Sequence, residues 1–390
     1  EDFATRPKYQ GDSTHFSGLN MSWFFILLLL ISLISQNTKL PPEGAYVATT
    51  LTYLFGIFLF ITNGERSISA KRWSFVLISA FTVVVFLNTL VYPSTFNSTR
   101  LVVLITFTLL NFYLISSVIN LSQFLYAVSR VGALLTVIGV LPLIGFPTQI
   151  GFIDISLWGF FSDLNIPIIT SVFVNPNQLG FFMFVGTVGA LREQSISDSR
   201  FSTVILGTNA LGLMLSHYRG GWTALLAALG LWYVYHLFGR KSLILITISG
   251  ITTIAVGLSL LFGIIPGPQI LTEISLNGRR ELWIASIHAL QNNLLAGQGL
   301  AGTAEIVGNP HNSYLRMFAS FGIIGGLIYT FLVVGVTIES TREAISIEAL
   351  LLTTLLMGML LIQIFNQLSF VGISMRSTII AIFMGYHMSK

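Results

Sequence analysis

The 390-residue sequence contains no cysteine, which excludes disulfides, thiolate nucleophiles and thiolate metal sites and leaves the redox compartment open. Charge is almost as scarce. Only 9% of residues are charged and 54% are hydrophobic, against about 25% charged in a typical soluble domain. With a mean hydropathy of +0.82, the chain cannot cover itself with a water-compatible surface. Catalytic signatures are missing too: there is no His-Glu-x-x-His pair, no carboxylate cluster and no Gly-Lys-Ser/Thr loop. Zinc proteolysis and nucleotide hydrolysis therefore lack their parts, and neither a metal nor another cofactor is expected. Internal repeats are absent as well, which gives no support to a transporter built from paired halves. Nothing points to a nucleic-acid partner.

What the sequence does have is apolar runs, at 23–34, 45–62, 73–91, 101–119, 131–146, 179–191, 202–216, 222–236, 243–262, 318–337, 347–365 and 378–388. Most approach the roughly 20 residues that a bilayer core requires. Backbone groups cannot be left unpaired against lipid, and the runs are too continuously apolar for barrel strands. The expectation is an all-α polytopic membrane protein of about twelve transmembrane helices, forming a single domain over 21–390. Residues 1–20 are a polar tail set aside from the fold. The short first run could pass for a signal-peptide core, but no Ala-x-Ala site follows it, and it is read as a helix.

Lysine and arginine set the orientation. With both termini in the cytoplasm, twelve of the nineteen basic residues fall inside and seven outside. Lys39, Arg100, Arg219, Arg279, Arg280, Arg316 and Arg376 are the outside seven. Positive charge on the disfavoured side suggests an anionic ligand there. The longest non-spanning stretch, a large external loop at about 263–315, lies on that side. It opens with Pro266-Gly267-Pro268, contains a segment at 281–290 that suits an amphipathic helix, and ends in Asn309-Pro310-His311-Asn312-Ser313-Tyr314-Leu315-Arg316. A second external loop, 147–171, leads into Asn175-Pro176-Asn177-Gln178.

Each motif has a plain structural alternative. Gly297-Gln298-Gly299-Leu300-Ala301-Gly302 matches the dinucleotide pattern but follows no strand, and reads as a flexible glycine turn. Asn97-Ser98-Thr99 is a glycosylation sequon on an expected outside loop, a triplet common by chance. Arg219, in Ser216-His217-Tyr218-Arg219-Gly220-Gly221, could simply snorkel at a helix end. Arg279 and Arg280 could rest on lipid phosphate, or clamp a pyrophosphate through their forked donors. His311 follows a proline and directly precedes a helix, and an ordinary imidazole pKa of about 6.5 suits proton transfer near neutrality. His217 and His288 compete for that role.

His311-Asn312, nine residues and then Gly322-Ile323-Ile324-Gly325 resembles the His-Asn/Ser, nine-residue, Gly-x-x-Gly/Thr/Tyr pattern of the O-antigen ligase superfamily. Asn175-Pro176-Asn177, Ser216 to Gly221, and Gly278-Arg279-Arg280-Glu281-Leu282-Trp283 followed by Gly297-Gln298-Gly299 arrive in that family's order. The chain departs by inserting His217-Tyr218 where the family has a compact Ser-Arg-Gly. The resemblance implies a metal-independent, inverting glycosyltransferase of the GT-C type, acting at the outer face of the cytoplasmic membrane. Its donor would be a polyprenyl-diphosphate-linked glycan, and its acceptor a glycan, a lipid A-core or a protein. It also implies His311 as the catalytic base, with Arg219 and Arg279 on the donor pyrophosphate. Arg280, Asn312 and Arg316 complete the substrate-binding set. Ligation, polymerisation and protein glycosylation share this machinery, and a transporter or flippase of an anionic lipid is the competing class.

Overall fold

The computed structural model describes residues 21–38, 42–62, 71–150, 153–155, 157–161, 165–197, 199–261, 279–372 and 374–389. The polar tail and 262–278, with Pro266-Gly267-Pro268, lie outside the described residues. The chain folds as a helical bundle. In order come α1 (Met21–Ser35), α2 (Pro42–Thr62), α3 (Arg72–Val91), α4 (Thr95–Val118, through a π-turn at Leu110–Ile115), and α5 (Leu121–Ile144, ending in a 3-10 turn). They are followed by α6 (Pro176–Ser197), α7 (Arg200–Leu215), α8 (Arg219–Phe238), α9 (Arg240–Leu261), α10 (Arg279–Asn292), α11 (Gly299–Ile306), α12 (Ser313–Arg342), α13 (Ile347–Phe365) and α14 (Met375–Met388).

Among the described residues, each of the apolar runs read from sequence falls largely within a helix. Among the described residues, seven helices are long and apolar enough to cross a membrane, namely α2, α3, α4, α5, α8, α12 and α13. Starts are marked locally, with Ser94, Asn120, Ser199, Asn312, Ser346 and Ser374 each accepting from a backbone N–H three residues on. Such caps satisfy amides that would otherwise be orphaned at the ends of helices.

Burial sorts the helices. α6 is buried continuously from Leu179 to Ala190, and α13 and α14 are nearly as enclosed, so these three form the interior. α2, α3 and α8 instead leave large apolar side chains such as Leu54, Phe58, Val83, Phe86 and Leu226 exposed, as a lipid-facing surface does. At the end of the bundle where α12 terminates, basic residues meet carboxylates. Lys71 bridges Glu339 at 3.1 Å and Glu343 at 2.7 Å, and Arg192 bridges Glu348 at 3.0 Å.

Two regions differ from the sequence reading. The 147–171 loop contains two antiparallel hairpins, β1 (Gln149–Ile150) with β2 (Ile153–Asp154), and β3 (Leu157–Phe161) with β4 (Ile166–Ile169). Their strands are too short and irregular to register as periodicity. The sequon is also not on a loop. Asn97 is buried in the first turn of α4, where its amide donates to the Tyr92 carbonyl at 2.8 Å and accepts from the Ala301 N–H at 3.0 Å. Its side chain fastens α11 to α4.

α12 is broken at Gly322, whose φ of 68° lies in the left-handed region. The turn at 294–298 docks into the break: Ile323 N–H donates to the Leu294 carbonyl at 2.8 Å, and Gln298 N–H to the Ala319 carbonyl at 2.9 Å. A Cβ on Gly322 would stand 2.0 Å from the Leu295 carbonyl oxygen, and one on Gly297 2.6 Å from the Gly322 nitrogen. The Gly297–Gly299 stretch is therefore a locked backbone contact and not a flexible turn. Asn88 completes the joint by donating to the carbonyls of Ala296 and Ser320 at 2.6 and 3.1 Å.

Candidate functional site

Three backbone segments converge near the start of α12. The first is the α7–α8 turn. Ser216 caps the end of α7, His217 takes a left-handed φ of 50°, and Arg219 opens α8. Tyr218 turns inward between them and is fully buried. It fits because α6 offers Gly180, where a Cβ would lie 2.3 Å from the Tyr218 Cβ. The inserted His217-Tyr218 is thus accommodated by a glycine four residues after Pro176, within the helix that the Asn-Pro-Asn motif starts.

The second segment is α10, which Arg279 opens. The amphipathic helix expected at 281–290 is present, but its buried face is Trp283, Ser286 and Ala289, with Leu282 and Ile287 only half-buried. Trp283 is the anchor because its indole N–H donates to the Pro310 carbonyl at 2.7 Å. The third segment is the 309–312 turn. His311 adopts φ 49°, with its backbone N–H donating to the Asn309 side chain at 3.0 Å. Immediately after it, Asn312 caps α12 by accepting from Leu315 N–H at 3.0 Å. The buried Ser313 hydroxyl accepts from Leu368 N–H at 2.6 Å, and so ties the turn to the segment between α13 and α14.

These segments bring Arg219, Arg279 and His311 into one electrostatic neighbourhood, together with a residue the sequence reading did not select, Arg376 at the start of α14. Burial first, then the charges of Arg279 and Arg376, hold the His311 imidazole below its ordinary pKa. It is therefore neutral near pH 7 and able to accept a proton. Burial and the neighbouring Arg219 charge lower the Arg279 pKa, but a guanidinium stays protonated at any physiological pH. The Tyr218 hydroxyl faces Arg376 and Arg279. Burial raises its pKa strongly and the two guanidinium charges oppose that rise, so it stays a neutral phenol. Among the described residues no carboxylate forms a salt bridge with Arg219, Arg279 or Arg376. Two unneutralised guanidiniums beside one imidazole, Arg279 and Arg376, with Arg219 next to Arg279, make a ready anion site.

The remaining candidates are placed apart. Arg280 is exposed on the outer side of α10. The Asn312 side-chain oxygen is engaged as a helix cap. Arg316 lies one turn into α12, where the Gln367 amide sits between its guanidinium and the Asn309 side chain, and it lines a separate cavity with Arg100 and Arg376. Of the competing histidines, His288 is exposed and close to Gln291. His217 stacks on Phe161 of β3, with ring centroids 4.6 Å apart. Burial and then the Arg219 charge lower its pKa. The β3–β4 hairpin thus covers the α7–α8 turn. Arg376 carried one usable signal in the sequence, its place among the seven basic residues on the disfavoured side. The Tyr218 and Pro310 contacts had none.

Residues 203–330 match the family model described as O-Antigen ligase (Wzy_C). Over this stretch the chain is similar to the O-antigen ligase superfamily. No curated protein matches it. The O-antigen ligase segment runs from α7 to the middle of α12. It contains Arg219, Arg279, Trp283, His311 and the Gly322 break, whereas Arg100 and Arg376 lie outside it. The family indicates glycosyltransferase-like activity on lipid-linked glycan and acceptor substrates in a multi-pass membrane protein.

Proposed function

We propose that the chain is a metal-independent, inverting glycosyltransferase of the GT-C type that transfers or polymerises a polyprenyl-diphosphate-linked oligosaccharide at the extracytoplasmic face of the cytoplasmic membrane. The observation that carries this reading is the grouping of His311 with Arg219, Arg279 and Arg376, without a carboxylate partner for the arginines. Cleaving a sugar–phosphate bond leaves negative charge on the departing diphosphate. Fixed guanidiniums stabilise that charge as it develops, without reorganisation. Arg219 and Arg279, each at the first position of its helix, hold the diphosphate, and the exposed Arg280 makes a weaker approach contact. His311, held neutral, takes the proton from the acceptor hydroxyl, a contribution of about 10²–10⁴-fold. Charge stabilisation is assigned to the arginines.

The acceptor hydroxyl attacks the anomeric carbon as the bond to the diphosphate oxygen breaks, so the anomeric configuration inverts. The acceptor's proton goes to His311 and the electron pair to the leaving diphosphate. The twelve-to-seven distribution of basic residues supports cytoplasmic termini and an outward-facing site. The test is to incubate purified protein with a lipid-linked glycan and offer a second lipid-linked chain, a lipid A-core or a protein as acceptor. The product then distinguishes polymerase, ligase and protein O-oligosaccharyltransferase. Movement of the donor across vesicles, with no product from any acceptor, would instead support the flippase reading.

A further inference from the structure

A cavity of about 550 Å³ opens between the end of α1, the first turns of α2, α4, α12 and the segment that precedes α14. Arg100, Arg316 and Arg376 reach it from three different helices, and among the described residues none of them has a carboxylate partner. Its wall is otherwise rich in hydroxyls and amides, including Gln36, Thr49, Gln367 and Ser374. The Arg376 guanidinium faces Tyr218, but its buried Nε donor is unmatched, as is the buried side-chain oxygen of Gln36. Three like charges and an unmatched donor call for an anion, while an unmatched acceptor beside hydroxyls calls for a ligand that also donates. An acidic sugar has both. A phospholipid headgroup would also meet the charge, and the lipid composition of the nanodisc below separates it from a sugar.

The cavity also adjoins the candidate base. Arg376 lines it and acts on His311, and Gln367 lines it while touching Asn309 of the same turn. Arg279, with Arg219 beside it, acts on His311 from outside this lining. We propose that the Arg100–Arg316–Arg376 cavity is the acceptor subsite, and that it selects a glycan carrying a carboxylate or phosphate group. The assignment to an acceptor rests on the transferase reading above. With the diphosphate on one flank of His311 and the acidic acceptor on the other, the acceptor hydroxyl reaches the base while its anionic group stays clear of the leaving group. The size suits one or two sugar units.

Residue-specific arginine modification tests both claims at once. Full-length protein in phosphatidylcholine nanodiscs is treated with phenylglyoxal, and the rates at Arg100, Arg316, Arg219 and Arg279 are read by peptide mass spectrometry. Three probes are compared: a tetrasaccharide containing glucuronic acid, a neutral tetrasaccharide, and farnesyl diphosphate. The acidic tetrasaccharide should slow modification at Arg100 and Arg316 about tenfold, the scale of a charge-assisted contact, and the neutral one should not. Inorganic phosphate should protect the same two residues. Farnesyl diphosphate should protect Arg219 and Arg279. Its failure to do so would refute the donor site while leaving the second cavity's protection pattern intact. In transfer assays Arg100→Gln should raise the KM for an acidic acceptor about tenfold and leave the donor KM unchanged. Equal protection by neutral and acidic sugars, no protection by either, or protection only when phosphatidylglycerol replaces phosphatidylcholine would overturn the proposal.

Discussion

Trp283 donates its indole N–H to the Pro310 carbonyl at 2.7 Å, a bond that ties the helix Arg279 opens to the turn that carries His311. The residue that would hold the diphosphate and the residue that would take the proton are thereby positioned by a shared joint. A positioning error of about 1 Å at such a joint can cost on the order of a hundredfold in rate. Trp283→Phe keeps most of the buried ring and removes only the donor. It should lower kcat for glycan transfer about tenfold or more while costing only about 1 kcal/mol of stability. Steady-state transfer kinetics beside a thermal melt check this, and an unchanged kcat would mean the joint does not matter to the chemistry.

The α12 break makes a stability prediction. Gly322→Ala places a Cβ at φ 68° and 2.0 Å from the Leu295 carbonyl, so strain and collision act together. The backbone strain alone costs about 1–3 kcal/mol, and the docked 294–298 turn would have to leave. Gly230 in α8 has nothing within 4 Å of its would-be Cβ, so Gly230→Ala should be neutral or stabilising by up to about 1 kcal/mol. Thermal unfolding of both variants in one detergent compares them directly.

That comparison also shows how far the sequence could be read. The spacing from His311 to Gly322 and Gly325 was visible, and it resembles a family pattern. Its physical basis was not, because Gly322 is needed by Leu294 and Leu295, about thirty positions earlier, and the glycine that faces it, Gly297, had looked like a loose turn. Helices were legible because lipid permits few other solutions. The site was legible only where charge sat against the positive-inside trend, as at Arg219, Arg279 and Arg316. Arg376 had the same signal but no motif around it. That Arg316 belongs with Arg100 and not with Arg279 is a consequence of helix packing, which spacing does not encode.

Protonation gives a third prediction. Burial and two neighbouring guanidiniums favour neutral His311, so activity should fall on acidification only below pH about 6.5, with the loss following protonation of the base. Arg376→Gln removes one positive charge, which makes protonation of His311 easier and raises its pKa. The acidic limb of the kcat/KM profile should therefore move to higher pH. A limb that stays in place or moves lower would contradict the coupling between Arg376 and His311.

Donor binding separates the arginines. Arg279→Gln and Arg219→Gln should each weaken farnesyl diphosphate binding about ten- to a hundredfold, the value of a charge-assisted contact of about 1.5–3 kcal/mol. Arg280→Gln, at an exposed position, should change it less than about fivefold. Isothermal titration at fixed salt measures all three, and equal effects at Arg279 and Arg280 would contradict the assigned geometry.

The most direct measurement follows His311→Gln in purified protein supplied with a lipid-linked glycan and its acceptor. The account predicts that product formation falls by about 10²-fold or more, while the lipid-linked donor still binds with the affinity of the unmodified protein. Transfer at the full rate by His311→Gln would contradict it.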